Sequence, residues 1–545
     1  MVDNQSRRGR HRSKTPLRSS AKSKASTSRS RQRPTARTRN GVKAQSQATT
    51  LPSDLWTQLV PFLTWRDTSA MLSVCCEWRR VVNEAKKLHP EWRSTVLGPS
   101  VNGLESLELL RANHLKWADT RFAPDLVLLI AASIDPSPWH SGGYWEEVVA
   151  AIEEARLLPP ACRLVMMFTL NAVLGTREDE VEEEGSSSAV TLSISVAHLP
   201  ETTLENAEFD RKELRRCKRG VELDNPFTAL EGKDAPSFML FGVNDQSADQ
   251  LVHVLDEWYP TATVIGAVSP LIDRCVPLAT YKAPVNQDRA RKKRGGKPLR
   301  RPRQVVFPST MLLRLHGNVG VRSFSSSGYY PITPVVQCER SSVAEELSQV
   351  VTYDLVSTSE GSQHVLDLID PSERLAIEQE GRTLNIFSCS DSAPLERLVD
   401  FNSNEDTLTT ARIDRLEFVF WLQDRLMALP GLCWQEGDYG VLASHQSTRT
   451  SQALTEALER TKSGLTERAF GAFTVAGALN DVDDSVHANQ VSEIFTDVFQ
   501  ELQIGGCIVS TSVGPVAIPG RQLPGRNRTQ VQTHTTCGAV FYTTQ

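Results

Sequence analysis

Residue types that carry chemistry are present, but none stands in a working arrangement. The chain has no G-x-S-x-G, G-x-G-x-x-G, H-E-x-x-H or Walker sequence. His534 and Cys537 lie three apart on an expected strand or its approach, with no second pair to complete a tetrahedral metal site. Cys389, in Phe387-Ser-Cys-Ser-Asp391, and Cys507 sit in apolar runs that read as strands, where buried and inert thiols are expected. Asp481, Asp483 and Asp484 lack the glycine and distal glutamate of a calcium loop and read as solvated loop. His253 lies on an expected helix between Leu251 and Leu255 and reads as a surface or satisfied residue, not a base. The expectation is a chain that is not an enzyme, with no catalytic residue, no metal site and no cofactor.

Charge is the next signal. Residues 1–50 hold 14 Lys/Arg against one acid, Asp3, whereas the remaining 495 residues hold 46 basic against 64 acidic side chains. The head is Arg, Ser, Thr, Lys and Gln with almost no large apolar residue, so it cannot bury enough surface to repay ordering and is expected to be disordered. Counterion release gives such a tail weak, salt-sensitive nucleic-acid contact in principle. An import signal, a phosphorylated regulatory tail and a solvated tail without a specific partner fit it as well. A second basic run, within a loop at 288–303, reads as a bipartite import signal; it is no P-loop, since Pro298 follows Lys297. Residues 178–184 form an acidic run, and both runs read as inserted loops.

The elements that could position a site begin after the tail. The 545 residues, 40% hydrophobic and 23% charged, suit a soluble globular chain of several domains. No apolar run approaches the ~18 residues of a membrane span, and the longest, Leu126 to Ala132, reads as core. No apolar stretch follows the N-terminal charges, which predicts no secretory signal. Ten cysteines without a CxxC pair predict reduced thiols, hence cytoplasm or nucleus.

In Leu51-Pro-Ser-Asp-Leu-Trp-Thr-Gln-Leu-Val-Pro-Phe-Leu63, Pro52 suits a first helical turn and Asp54 the positive helix start. Leu55, Leu59, Phe62 and Leu63 then form an apolar stripe. Asp67 is the expected N-cap of a second helix, and Met71, Val74, Cys75, Trp78 and Val82 continue the period across a second and third. A unit of about 40 residues is small for independent stability and calls for a partner. This segment resembles an F-box, aligning without a gap from Leu51-Pro52 through Leu55, Leu59, Leu63 and Asp67 to Val74-Cys75 and Trp78-Arg79; Thr68 stands where that family usually has leucine. The resemblance implies that Leu51, Pro52, Leu55, Leu59, Leu63, Asp67, Val74, Cys75 and Trp78 face a Skp-type adaptor, which bridges to a cullin ubiquitin-ligase complex.

Two later stretches read as strand–helix–strand units. In the first, Ser237–Val243 and Thr263–Ala267 flank a helix over Ala248–Trp258, suggesting a parallel crossover. In the second, a strand over Gly471–Ala476, a loop over Asn480–Ser485 and a helix over Ala488–Leu502 precede a glycine cap at Gly505-Gly506. A strand over Cys507–Ser510 and a turn at Val513-Gly-Pro515 follow. The two units suggest an internal repeat. They resemble, together with Val319–Ile332 and Thr533–Thr536, the two halves of the FIST domain, a module of bacterial sensory proteins and some eukaryotic F-box proteins. Where bacterial relatives carry Gly-Cys-Arg-Pro-Ile-Gly, this chain has Gly328-Tyr-Tyr-Pro-Ile-Thr333. Gly477 and Asn480 replace a Cys and an Arg, and Thr511-Ser512 replace a Gly-Glu pair. Thiol and charged groups suited to a small ligand are thus replaced, which favours a protein-binding surface.

The expected architecture is α+β: a disordered basic tail at 1–50, a three-helix F-box at 51–95, and a bipartite mixed body at 100–300 and 305–545. The implied function is a substrate receptor that binds the Skp-type adaptor and an unknown protein client and acts by proximity. The alternatives are a FIST-type small-ligand sensor whose F-box serves its own turnover, and a basic-tailed nucleic-acid-associated protein.

Overall fold

The computed structural model describes residues 55, 58–118, 120–176, 189–217, 223–227, 235–269, 272, 275–282, 305–343, 351–358, 361–380, 382–390, 392, 395, 414–422, 425–428, 434–478, 484–515 and 529–544. The tail, Leu51, Pro52, Asp54, the acidic run, the basic loop, Asn480, Asp481 and Asp483 lie outside the described residues.

Helices α1 (Trp65–Met71) and α2 (Cys76–Leu88) follow a 3-10 turn at Val60–Phe62. Thr64, not Asp67, is the N-cap of α1. Its hydroxyl accepts from Asp67 N at 3.3 Å while the Asp67 carboxylate accepts from Thr64 N at 3.2 Å. That reciprocal capping box needs the hydroxyl at the cap and the acid three residues on.

The rest of the body is built on a threefold repetition. The first repeat runs β1 (Glu91–Ser100), α3 (Gly103–Ala112), α4 (His114–Ala118), β2 (Leu126–Ala132), α5 (Gly143–Ala155), β3 (Arg163–Thr169), β4 (Val173–Leu174) and β5 (Val190–His198). The second runs β6 (Thr202–Phe209), α6 (Arg211–Cys217), β7 (Ser237–Gly242), α7 (Asp245–Trp258), β8 (Thr263–Val268), β9 (Leu278–Lys282) and β10 (Thr310–Gly317).

The third repeat opens with β11 (Val319–Ser327) and then takes an insertion. Strands β12 (Tyr329–Pro331), β13 (Val336–Val343), β14 (Val351–Thr358) and β15 (Gly361–His364) are followed by α8 (Pro371–Glu380). Then come β16 (Leu384–Cys389), β17 (Asp414–Leu422), β18 (Arg425–Ala428) and β19 (Tyr439–His445). The repeat resumes with α9 (Ser447–Ser463), β20 (Ala469–Gly477), α10 (Asp484–Val498), β21 (Ile504–Val509), β22 (Thr511–Pro515), β23 (Thr529–Gln532) and β24 (Thr535–Thr543).

Each repeat makes the same sheet. A parallel pair joined by a helix (β2/β3, β7/β8, β20/β21) is flanked by two antiparallel strands of its own repeat (β5 and β1, β10 and β6, β24 and β11). The strand on the other side is borrowed, and the loans form a cycle. β9 of the second repeat pairs with β3 of the first, β22 of the third with β8 of the second, and β4 of the first with β21 of the third. Within the second sheet β10 pairs with both β6 and β7.

Alternation places one face of every sheet in a shared core. Leu128, Ile130 and Val165 of the first sheet meet Met239, Phe241 and Leu313 of the second and Phe473, Val475 and Phe541 of the third. The opposite faces carry their own helices. α7 shows why: Asn244 caps it by accepting from Ser247 N at 3.2 Å, and Leu251, Val252 and Leu255 share one buried face against Phe238, Leu240 and Leu312. Burying those three side chains contributes roughly 5–9 kcal/mol before ordering costs.

The first strand–helix–strand unit stands as expected, with its helix starting three residues early at Asp245 and its strands parallel. The second needs three corrections. Helix α10 starts at Asp484, inside the expected loop, and ends at Val498; Gly505-Gly506 lie within β21; and Val513-Gly-Pro515 is strand, not turn. The glycines are there because sheet neighbours leave no room: a Cβ on Gly505 would stand 1.9 Å from Ser195 Oγ, and one on Gly506 1.7 Å from Thr474 O. The repeat expected twice occurs three times, since β2–α5–β3 is its first copy.

In the insertion, β19, β13, β14, β18, β17 and β16 pair antiparallel in turn, and β16 returns to β19, closing a six-stranded barrel. It has its own core, including Val336, Val356, Leu384, Ile386, Trp434 and Leu442.

Candidate functional site

The helical segment before the first repeat has two unlike sides. Inward, Val60, Met71, Val81, Val82 and Ala85 pack on Phe122 of the first repeat, with Leu63, Leu72 and Trp78 half-buried beside them. Polar contacts fix the same side. Trp65 N donates to Thr120 O at 2.7 Å and Trp65 Nε1 to Ala118 O at 3.1 Å. Thr68 is fully buried and its hydroxyl donates to Trp65 O at 3.0 Å and Arg121 O at 3.4 Å. An apolar leucine could not make those bonds, so this departure from the F-box pattern belongs to the inward side. At the end of α2, His198 Nε2 lies 3.2 Å from Lys86 O, and Lys87 pairs with Glu201. Burial lowers the Lys86 ammonium from its usual range, with Asp125 opposing the shift.

Outward, large apolar side chains face solvent. Phe62 is 84% exposed, Val74 59%, and Leu55 and Leu59 43% each. Leu55, Leu59 and Phe62 follow spacings of four and three in the sequence, and Phe62 closes the 3-10 turn. Cys75 is exposed and caps α2, its Sγ accepting from Trp78 N at 3.5 Å.

The expected adaptor residues therefore divide. Leu55, Leu59, Val74 and Cys75 stand on the outward side, and exposed Asp67 holds the start of α1. Leu63 and Trp78 lean on the inward cluster, and Leu51 and Pro52 lie outside the described residues. Phe62, a member of the apolar stripe and not one of the expected adaptor residues, is the most exposed of the group. It ends the 3-10 turn Val60–Phe62, whose Val60 is fully buried while Phe62 is exposed.

The residues weighed for chemistry are dispersed. Cys389 and Cys507 are buried in strands, and burial raises the Cys507 thiol far above its ordinary range. His253 pairs with Asp249 one turn away at 3.7 Å. Cys537 is buried in β24, and His534 sits in the preceding turn at φ 47°. Among the described residues, no group of three His, Cys, Asp or Glu stands close enough to hold a metal, and no helix is long and apolar enough to cross a membrane. Comparison with protein-family models gives no match to this chain, and comparison with curated proteins gives none either.

Proposed function

We propose that the chain is a non-catalytic substrate receptor of a cullin-type ubiquitin ligase, working in the cytoplasm or nucleus. Its N-terminal helices bind a Skp-type adaptor, and the repeat body with its inserted barrel binds a protein client. The observation that carries the reading is the outward row Leu55, Leu59 and Phe62, with Val74: four large apolar side chains left in water on a segment whose other side is bonded to the body. Isolated exposed leucines are ordinary, but a row at helical spacing on a small unit is what a partner covers. The mechanism is proximity: held client and loaded ubiquitin share one complex, which raises their effective concentration without a reacting group on this chain.

The test is co-purification with the adaptor of the native chain and of a Leu59→Ala, Phe62→Ala, Val74→Ala variant. Full burial of such a side chain is worth roughly 1.5–3 kcal/mol. Scaled by the exposed fractions, the three offer roughly 3–5 kcal/mol, or a hundredfold to a few thousandfold in Kd. Phe62→Ala alone, at a side chain 84% exposed, should leave folding stability within about 0.5 kcal/mol of the native chain and still weaken binding, which separates lost docking from lost folding. No binding by the native chain, or equal binding by both, would sink the proposal.

A further inference from the structure

The three repeats allow an internal comparison at the start of their first helices. In the first, the Asn102 side chain accepts from Leu104 N and Glu105 N, both at 3.0 Å, and Glu105 accepts from Val101 N at 2.6 Å. In the second, Asp210 accepts from Lys212 N at 2.7 Å and Glu213 N at 2.8 Å, and Glu213 accepts from Asp210 N at 2.9 Å. Each of those helices carries its own oxygen acceptors at its positive end. Helix α9 does not. Its N-cap, Gln446, makes no side-chain capping bond and instead accepts from Arg449 Nε at 3.0 Å, and its first turn holds no acid.

A second, independent observation lies under that helix. Phe324 packs with Leu454 and Leu458 of α9, and a Cβ on Gly328 would stand 2.4 Å from Thr450 Oγ1 and 2.7 Å from Gln446 O. Alternate residues of a strand share a face, so Ser326, between them, points at the first two turns of α9. Ser326 is 5% exposed and its hydroxyl has no hydrogen-bond partner among the described residues. Fully buried Thr474, on the same face of this sheet, also has an unpartnered hydroxyl. Neighbouring Ser325 and Ser327 share that state on the opposite face; on the α9 face a buried donor is open to a ligand. Close by are Arg449, stacked over the Tyr330 ring at 4.2 Å, and the rings of His445 and His534, 5.5 Å apart.

We propose that the start of α9 binds a small oxyanion, a carboxylate or a phosphate, with the Ser326 hydroxyl as one of its donors. The helix end supplies positive potential, Ser326 supplies a buried donor, and Arg449 sits in the first turn. The ligand takes the place that the Asp210 and Glu213 carboxylates fill in the second repeat. The site does not rest on the adaptor reading and uses none of the residues on the outward helical side.

The experiment is thermal unfolding of the full chain in inorganic phosphate and, separately, in acetate, each against sodium chloride at equal ionic strength. The expected result is a saturable rise with one probe, about 2 °C at ten times its Kd. The responding probe tells phosphate from carboxylate. Ser326→Ala should weaken that response at least about fivefold, as expected for the loss of one hydrogen bond to an anion. Gln446→Asp supplies the missing carboxylate within the chain; it should raise the melting temperature without any anion and abolish the response. It also keeps the test decisive if Ser326→Ala fails to fold. Absence of a saturable rise with either probe, or an undiminished response in Gln446→Asp, overturns the proposal.

Discussion

If the third repeat is a copy of the other two with a barrel set into it, removing the barrel should leave the ring of sheets folded. The perturbation is deletion of 329–445 with two glycines joining Gly328 to Gln446. The geometry permits it, because Gln446 N already donates to Gly328 O at 3.0 Å, so the ends of the insertion touch. The first repeat makes the same passage from β1 to α3 with only Val101 and Asn102, and the second from β6 to α6 with only Asp210. The ring would lose the Arg449–Tyr330 stack, the His445–His534 contact and the His445–Thr450 hydrogen bond, together roughly 2–4 kcal/mol. Against this, replacing a loop of roughly 120 residues by a few saves about 3 kcal/mol of closure entropy. The two nearly cancel, so the shortened chain should be monodisperse, keep a cooperative transition and melt within about 5 °C of the full chain. Circular dichroism and size-exclusion chromatography read both. An aggregated product, or a transition that broadens and falls by more than about 10 °C, would refute the idea that the ring and the barrel have separate cores.

Two further predictions probe the ring. A Cβ on Gly266 would stand 1.9 Å from Leu240 O, a backbone atom that cannot step aside, so Gly266→Ala should cost about 3 kcal/mol or more by denaturant titration. Gly143→Ala, with nothing within 4 Å, is the control and should be nearly neutral. Partial desolvation raises the Asp245 carboxyl above its usual range although its side chain still reaches solvent, the Thr511 hydroxyl opposing the shift. A raised carboxyl favours the protonated folded state, so its penalty is absent below the ordinary aspartate pKa of about 4 and grows as pH rises through the folded value. Solvent screening keeps the effect small, so Asp245→Asn should raise the melting temperature only slightly at pH 7, with the gain vanishing toward pH 4; a gain that persists there, or a loss at pH 7, counts against desolvation as the cause.

Local patterns in the sequence carried the elements well and their partners poorly. Ser237–Gly242 and Thr263–Val268 are short apolar runs around a capped amphipathic helix, and every signal for them is local. Gly505 and Gly506 misled because glycine is also the usual helix stop, and only Ser195, some 300 residues away, and Thr474 on the neighbouring strand explain them. The first copy of the repeat was hidden because Ser133–Gly142, a long irregular connection, parts β2 from its helix. The cyclic loan of strands leaves no trace in composition. β4 is two residues long, yet Gly506 and Cys507 pair with it, and Leu174 is buried beneath α10. Ser325-Ser-Ser327 looks like a loop by residue type and is the end of β11, held there by pairing with Thr535–Cys537.

The repetition also orders what is asymmetric about this chain. Near-equivalent repeats bury near-equivalent faces, so a feature found on one repeat alone is not needed to complete the common core. The helices with the outward apolar row bond to the first repeat, through Phe122, Thr120 and His198. The barrel and the uncapped helix belong to the third, and the second carries neither. Because Leu128, Phe241 and Phe473 share one core, the two decorated repeats are held in fixed register through residues that serve neither feature. On the receptor reading, that separation is what a bridging subunit requires: one attachment for the adaptor, another for the client, and a packed scaffold that sets the distance between them.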